Sequence, residues 1–473
     1  MASLICCKRK ELCRSRIVNN GAYPNRKRSD VDGIYAWIIA LASFFGHVLI
    51  YGVIFSSGVF YDMFYDTFDS SSSMISLIAT LSTAFTFGFG PIPGVLMNKY
   101  GQRVITIIGG LVAGTGLILS AYATNVYYLA ASFGVITGIG FGTAYLAVVS
   151  IVALYFDRWR SVAFGLAVSG VGIGTFVYPP IIRSLVETFG VRGTLLVTGG
   201  VTLNLCVCGA LMRPPRTGAI GSGLKESPEE TACSKAEPAP TIAPNIAGKC
   251  KNCFWMLNLH MFRSVVYLVL CLNNFFLLFG LSIVYVHLAA YSTTKDIDAD
   301  SSAMLISVVG IANFIGRPSF GLFAKLSCSS LLVYTISLSL CGLGVVLVPL
   351  MEGYVGLMIL SAAFGFLSAC IGPLIPQIIT DFLSVELLPS AYGYLLVFEA
   401  AGSLLGPPVA GWLFDVLKRY PPSFYLGGGT IGLSGIIMFI PYFVRRQASA
   451  LINDEIQCDG EIDIKEVFLS SKD

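Results

Sequence analysis

Arg317 places a full positive charge inside an apolar stretch, residues 302–325, that is long enough to cross a lipid bilayer as a helix. At about 1.5 Å per residue it lies roughly 20 Å from one end of the stretch and roughly 12 Å from the other. Placing arginine in the hydrocarbon core costs roughly 2.5–3.5 kcal/mol on insertion scales, so a partner or a watery cavity must offset the cost. The planar guanidinium fits a carboxylate best. We therefore predict that Arg317 binds the carboxylate of a substrate, and the alternative is a structural ion pair.

Three further ionisable side chains lie in apolar stretches. Glu399 lies mid-stretch, where it serves either as the structural partner of Arg317 or as the group that carries a proton. His47 is a second candidate for proton coupling, although a histidine in such a helix is more often satisfied by a neighbouring carbonyl. His287 ends a stretch near the predicted outer mouth, where it is a candidate pH-sensitive residue.

Neutral polar and aromatic side chains complete the candidate substrate site. Asn274 and Asn313 must find hydrogen bonds inside apolar helices, so they either bridge helices or line a cavity, and both alternatives stay open. Phe55 either shapes such a cavity or packs against other helices. The predicted substrate-binding set is therefore Arg317, Asn313, Phe55 and Asn274.

The elements that must position these residues are membrane-spanning helices. Of the 473 residues, 55% are hydrophobic and only 12% are charged, which excludes an ordinary soluble enzyme. No nucleophile triad, metal-ligand set or phosphate loop appears in the segments outside the membrane. Twelve apolar stretches are long enough to span: 34–60, 74–97, 104–122, 127–153, 162–182, 194–212, 264–289, 302–325, 331–350, 354–380, 389–414 and 424–444. We predict an all-α membrane protein of twelve helices, numbered here as spans 1 to 12.

The distribution of lysine and arginine predicts the orientation. Most of the 30 basic residues lie in segments on the side of the N-terminus, so both termini are expected in the cytoplasm. Four bases assigned to outer loops run against this rule: Arg183, Arg192, Lys418 and Arg419. The first apolar stretch is too long for a cleavable signal peptide, which favours a signal anchor.

Composition also predicts the domain organisation. A basic N-terminal segment, 1–33, precedes a six-helix half, 34–212. A linker rich in Gly, Ser, Pro, Thr, Glu and Lys, 213–262, leads to a second half, 263–444, and a polar tail, 445–473. None of the 13 cysteines falls in a predicted outer loop, which argues against structural disulfides. Cys250 and Cys253 resemble half of a zinc site, but no second pair of ligands accompanies them, so we predict no metal and no cofactor.

Twelve helices in two halves with a long central loop resemble the major facilitator superfamily, whose substrate site lies at the midplane between the halves. The loop Gly94-Val-Leu-Met-Asn-Lys-Tyr-Gly-Gln-Arg103 resembles the superfamily signature of glycine, acid, base, glycine and base, with Asn98 in place of the acid. Lys99 and Arg103 are accordingly predicted to hold the inner gate.

Two more blocks resemble the monocarboxylate transporter family. Asp32-Gly33-Ile-Tyr-Ala-Trp37 enters span 1, and the block from Tyr155 to Gly174 joins spans 4 and 5. Within and beyond these blocks, the predicted gating and signature residues are Asp32, Gly33, Trp37, Lys99, Arg103, Arg158, Arg160, Gly170, Gly174 and Asp381. The resemblance covers essentially residues 32–444.

The resemblance implies a plasma-membrane carrier that moves lactate, pyruvate or ketone bodies by alternating access. Its expected partners are the small monocarboxylate and the lipid bilayer, with no nucleic acid, and a single-span accessory membrane protein remains an open partner. Two departures concern the proton-coupled branch of the family, because Phe55 stands where that branch has a lysine and Asn313 where it has an aspartate. These replacements predict a facilitative or differently coupled carrier.

Two rival hypotheses remain. The loss of the lysine in span 1 makes a carrier of aromatic or other amino acids, or of another amphipathic solute, credible. A non-transporting membrane sensor would bind a ligand without moving it.

Overall fold

The computed structural model describes residues 31–68, 72–213, 259–295, 297–326 and 329–443, and it is helical throughout these ranges, with short connections. The first half contains α1 (Ile34–Phe55), α2 (Ser57–Thr67), α3 (Ser72–Gly88), α4 (Pro91–Ser120), α5 (Val126–Leu129), a π-helical turn (Ala130–Ile136), α6 (Thr137–Tyr155), α7 (Arg160–Thr202) and α8 (Asn204–Leu211). The second half contains α9 (Val265–Thr293), α10 (Ala299–Leu326), α11 (Ser330–Leu347), α12 (Gly353–Ser368), α13 (Ile371–Phe382), α14 (Leu388–Leu417) and α15 (Pro421–Ile437). Short 3₁₀ turns lie at Leu259–Arg263 and Val348–Leu350.

Two glycines divide continuous helices into separate crossings. Gly101 in α4 has φ 80° and Gly190 in α7 has φ 66°, a left-handed conformation that other residues rarely adopt. In the part of the chain that the structure describes, ten helices are long and apolar enough to span a membrane, and one of them, Arg160–Leu211, is divided at Gly190. The short helix α3, continued by the start of α4 up to Gly101, supplies the remaining crossing. Twelve crossings in two sets of six result, as the sequence predicts.

Span 5 is longer than predicted. The predicted stretch ended at residue 182, but α7 continues through Pro179 and Pro180 to the bend at Gly190. The expectation that Arg183 lies in an outer loop was therefore wrong, because this exposed residue lies within the helix. A membrane helix tolerates proline because the surrounding structure satisfies the freed carbonyls.

Small residues let the helices approach closely. A Cβ added at Gly174 of α7 would lie 2.6 Å from the carbonyl oxygen of Val48 in α1, and one added at Gly406 of α14 would lie 2.5 Å from Oγ of Ser282 in α9. Such contacts hold membrane helices together where lipid removes the hydrophobic driving force.

The bundle has two ends, which we call the proximal and the distal face. The proximal face carries the start of α1 at Ile34 and the end of α6 at Tyr155, and the distal face carries the end of α2 at Thr67. On the predicted orientation the proximal face is cytoplasmic. The predicted N-terminal segment up to residue 30, most of the linker (214–258), the CxxC pair and the tail from 444 lie outside the described residues.

Candidate functional site

A cavity of about 710 Å³ lies between the two halves. Residues of both halves line it, from Tyr145 and Tyr392 at its floor to Tyr61 and Pro408 nearer the distal face. Three of the residues predicted to bind substrate, Arg317, Asn313 and Phe55, belong to its wall. The volume suits a small organic molecule.

Arg317 reaches across the boundary between the halves. Its Nη1 donates a hydrogen bond to the carbonyl oxygen of Val168 in α7, at 2.9 Å, and its Nε donates to Oδ1 of Asn313 one turn earlier, at 2.6 Å. Among the described residues, nothing accepts a hydrogen bond from Nη2. The side chain is half-buried on the cavity wall, so the guanidinium is fixed by two contacts and keeps donor capacity for a ligand.

Asn313 is the residue that orients this arginine. Its Nδ2 donates to the carbonyl oxygen of Gly365, at 3.2 Å, and to Oγ of Ser368, at 3.3 Å, both in α12. These bonds turn Oδ1 toward Arg317. Because an amide is neutral, it holds the guanidinium without cancelling its charge.

Glu399 also lies on the cavity wall, on α14. Only 7% of the residue is exposed, and its Oε1 is buried without a hydrogen-bond partner. Within the described ranges, no ion pair joins Glu399 to Arg317. The structural ion pair between Arg317 and Glu399, which was the alternative to substrate binding, is therefore not formed in the described part of this conformation.

A cluster of tyrosines forms the cavity floor, and the sequence reasoning missed it. The hydroxyl groups of Tyr145 (α6) and Tyr392 (α14) share a hydrogen bond of 2.8 Å across the halves. The ring of Tyr51 (α1) meets that of Tyr145 edge-on, with centroids 5.5 Å apart. A tyrosine in the middle of an apolar span is a usable signal, because its hydroxyl needs a partner there. The spacing of Tyr392 and Glu399, seven residues or two turns apart, also predicts one shared face.

Three candidate residues lie away from the cavity wall. His47 is fully buried, its Nδ1 lies 2.8 Å from the carbonyl oxygen of Ser43, and its Nε2 has no partner among the described residues. Asn274 is also fully buried and donates to the carbonyl oxygen of Leu270 in its own helix, at 2.9 Å. The structure therefore does not bring Asn274 to the site. His287 lies nearer the distal face, 3.2 Å from the carbonyl oxygen of Pro407.

Contacts between the halves close the proximal side of the cavity. Nδ2 of Asn98, a residue of the signature motif that lies in α4, donates to Oγ of Ser390 at 3.2 Å. A Cβ added at Gly165 of α7 would lie 2.7 Å from the carbonyl oxygen of Arg317, and the ammonium of Lys325 contacts the ring of Trp159. Among the described residues, these contacts lie on the proximal side of the cavity, while its lining extends toward the distal face at Tyr61 and Pro408.

Asp32 joins the entry of span 1 to the loop between spans 4 and 5. Its carboxylate accepts from the backbone amides of Asp157, Arg158 and Trp159, at 3.0–3.4 Å, and so fixes the loop that leads into α7. The first signature block reaches the same region, since the ring of Trp37 packs edge-on against that of Phe156, 5.1 Å away.

The other signature residues lie on the proximal side or in helix contacts. Gly33 is the N-cap of α1, Arg160 pairs with Asp157 at 3.3 Å, and Lys99 lies over the ring of Tyr100. Gly170 and Gly174 pack α7 against α1. Asp381 accepts from Gln377 at 2.8 Å, and Arg103 and Arg158 are exposed. None of these residues lines the cavity.

Metal ligands do not cluster in the described part of the chain, where no three His, Cys, Asp or Glu side chains come together. The chemistry available at the cavity is therefore that of one guanidinium, one carboxylate and several hydroxyl groups.

Sequence and structure comparisons point to one family. The profile of the Major Facilitator Superfamily matches residues 43–352 and 270–457. Human monocarboxylate transporter 14 is 32% identical over 456 residues, covering 84% of this chain and 89% of that protein. Monocarboxylate transporter 12 of Xenopus laevis is 31% identical, covering 91% and 96%.

Solved structures share the fold. The human organic anion transporter MFSD10 superposes with a TM-score of 0.65, covering 88% of this chain and all of that one. The E. coli fucose:proton symporter FucP superposes with a TM-score of 0.62, covering 86% and 98%. Both are 14% identical to this chain, so they support the fold alone.

Proposed function

Because the chain belongs to the monocarboxylate transporter family of the major facilitator superfamily, and is therefore a multi-pass membrane transporter of small molecules, we propose that it carries organic anions with one carboxylate. Lactate, pyruvate and the ketone bodies define the proposed class. The carrier would work by alternating access, in which the two halves rock about the central cavity.

The observation that carries this proposal is the position of Arg317. Its guanidinium lies on the cavity wall, held by Val168 and Asn313, with Nη2 left for a ligand. A carboxylate is the ligand that such a preorganised fork accepts best. We assign Arg317 as the substrate anchor, Asn313 as its positioning residue, and Phe55 as part of the apolar wall.

For coupling, we propose a facilitative carrier or one coupled differently from the proton-linked branch. Phe55 carries no proton, and Asn313 offers an amide where an acid would pair with Arg317. If a proton moves with the substrate, Glu399 is the candidate at the cavity wall, since His47 lies behind the tyrosines.

We further propose that the protein resides in the plasma membrane with both termini in the cytoplasm. The excess of lysine and arginine on the proximal side supports this orientation. On it, the cavity in this conformation faces outward.

The proposal is tested by uptake of labelled lactate, pyruvate and 3-hydroxybutyrate into cells that express the chain, at neutral and acidic outside pH. Losing a charge-assisted hydrogen bond costs about 1.5–3 kcal/mol, so Arg317→Ala should lower uptake efficiency by roughly 10- to 100-fold. Arg317→Lys should recover only part of it, because a point charge lacks the fork.

Arg183→Ala is the matched control, because it removes an exposed arginine of a spanning helix away from the cavity. At equal surface expression, Arg183→Ala should retain the uptake of the wild type, whereas Arg317→Ala should lose most of it. Full transport by both Arg317 variants would remove the anchor role, and steep stimulation of the wild type by outside acid would contradict facilitative transport.

A further inference from the structure

Closure of the proximal side brings together two positive side chains from opposite halves. Arg158 lies in the loop before α7, and Lys325 lies in the last turn of α10. The ring of Trp159 contacts the ammonium of Lys325 and holds it within electrostatic range of Arg158. Among the described residues, neither base forms an ion pair. Two like charges held together repel each other, so an anion that binds both would stabilise the closed side.

The acidic side chains of this region are already used by the fold. Asp32 lies within electrostatic range of Lys325, but its carboxylate accepts hydrogen bonds from three backbone amides of the loop. Asp157 pairs with Arg160 at 3.3 Å. The point where the two halves meet on the proximal face therefore keeps an excess of positive charge.

The chain carries a strongly acidic segment on the same side of the bundle. Span 12 ends on the proximal face, because α15 runs antiparallel to α9: Asn273 donates to the carbonyl oxygen of Ser434, whereas Gly280, further along α9, lies against Gly427. The tail therefore starts on that face. Its residues 454–466, outside the described ranges, contain six acidic side chains and one lysine. Fully extended, residues 444–454 span at most about 36–40 Å, or three to four helix diameters, which is enough to cross a half of six packed helices.

We propose that residues 454–466 bind across Arg158 and Lys325 when the proximal side is closed, and that they hold the carrier in this conformation. Opening the proximal side separates the two halves and with them the two bases, so the acidic segment binds the other state more weakly. A ligand that prefers one of two states shifts the population toward that state. The segment is thus an internal brake on the conformational cycle. The inference goes beyond the proposed function and holds for any substrate, because neither base lines the cavity.

Cys458 lies inside the acidic segment and can report its position. With every other cysteine replaced, a cysteine is introduced either at Leu326, exposed beside Lys325, or at Val265, exposed at the start of α9. Val265 is the matched control, because α9 packs directly against α15, from which the tail departs. A bifunctional maleimide should join Cys458 to Leu326→Cys roughly three- to tenfold faster than to Val265→Cys, the ratio expected from two exposed charge pairs.

Charge-neutral variants identify the groups that hold the segment. Amides in place of the six acids should abolish the preference for Leu326→Cys, and so should Arg158→Gln combined with Lys325→Gln. Crosslinking to Val265→Cys should persist, which shows that the cysteines remain reactive. High salt should weaken the preference as well, because the charges are exposed to solvent. The six substitutions are Asp454→Asn, Glu455→Gln, Asp459→Asn, Glu461→Gln, Asp463→Asn and Glu466→Gln.

The brake also has a readout at the cavity. In a background without native cysteines, neutralising the six acids should slow labelling of Ser403→Cys, on the cavity wall, by an impermeant thiol reagent roughly two- to tenfold, because the state with the closed proximal side becomes less populated. When Arg158→Gln and Lys325→Gln are already present, the same neutralisation should change the labelling rate no further.

Two outcomes would overturn the inference. Equal crosslinking at Leu326→Cys and Val265→Cys would show that the segment does not bind at the two bases. A preference that survives the loss of both bases would show that the acids bind elsewhere, such as to the basic segment 1–33. Neither measurement involves a substrate, so failure of the brake leaves carboxylate transport standing, and failure of carboxylate transport leaves the brake testable.

Discussion

At the scale of single residues, Arg317 differs from a typical buried cation because its orienting partner is neutral. Oδ1 of Asn313 accepts from Nε of Arg317 at 2.6 Å, and Gly365 and Ser368 hold the amide in place. An aspartate at this position would hold the arginine in a similar direction, but it would also compete with the substrate for the positive charge. The amide therefore keeps Arg317 available whatever the outside pH.

Asn313→Asp should convert this arrangement into an acid-sensitive one. At neutral pH the new carboxylate would pair with Arg317 and lower carboxylate uptake by about tenfold or more, because a charge pair replaces a dipole contact. Outside acid should restore uptake by protonating the new group. Initial uptake rates between neutral and acidic pH measure this. Asn313→Ala is the control, since it should lower uptake without rescue by acid, and a flat profile for Asn313→Asp would contradict the explanation.

At the scale of elements, the contact between α7 and α10 closes the proximal side of the cavity. A Cβ added at Gly321 of α10 would lie 2.5 Å from the carbonyl oxygen of Ser161, and Gly165 faces the backbone of Arg317 and Pro318 from α7. Because the two helices contact each other here through backbone atoms, no flexible side chain could move aside to make room for a larger residue. The two helices can meet at this point only while both positions are glycine.

Gly321→Ala should therefore shift the carrier away from the conformation described here. Overpacking costs about 1–3 kcal/mol, which corresponds to a shift of roughly 5- to 150-fold. In a background without native cysteines, a membrane-impermeant thiol reagent should label Ser403→Cys, on the cavity wall, more slowly when Gly321→Ala is added. Gly310→Ala is the matched control in the same helix, because nothing lies within 4 Å of its added Cβ. Equal labelling in both variants would contradict this assignment.

At the scale of the whole molecule, the two halves meet at the cavity floor through the hydroxyl groups of Tyr145 and Tyr392. The bond exists while the proximal side is closed, and rocking of the halves would have to break it. It thus contributes to the balance between the two states of the carrier. A comparable bond inside the second half joins Tyr334 to Oδ1 of Asn273 at 2.9 Å.

Tyr145→Phe should weaken the distally open state and leave each half intact. A hydrogen bond contributes about 0.5–1.5 kcal/mol, so the apparent KM for outside substrate should rise by roughly two- to tenfold as that state becomes less populated. Tyr334→Phe is the comparison, because it should lower the thermal stability of the purified protein with little change in KM. The same KM shift in both variants would argue against a role for the bond between the halves.

The sequence by itself determined the twelve crossings, the two sets of six and the anomalous charges Arg317 and Glu399. Each spanning helix must satisfy its backbone hydrogen bonds internally and expose apolar side chains to lipid, so its signal is local and is read from hydropathy. The predicted span 5 ended at residue 182, before the charged Arg183, whereas the helix continues to Gly190, because a charge ends an apolar stretch without ending a helix.

Only the tertiary structure decided which polar residues face the cavity. Asn274 and Asn313 are both asparagines within apolar stretches. Asn274 nevertheless donates a hydrogen bond within its own helix, whereas Asn313 orients Arg317. The tyrosine floor joins Tyr145 and Tyr392, which are 247 positions apart in the sequence. Arg317 and Glu399 form no ion pair in the described structure, and this depends on the distance between their helices and on the rotation of each helix. Lipid and a neighbouring helix both present apolar surroundings, so hydropathy cannot tell a lipid-facing position from a buried or cavity-facing one. The rotation of each helix in the bundle is set by its contacts with distant segments, which is why this part of the site required three dimensions.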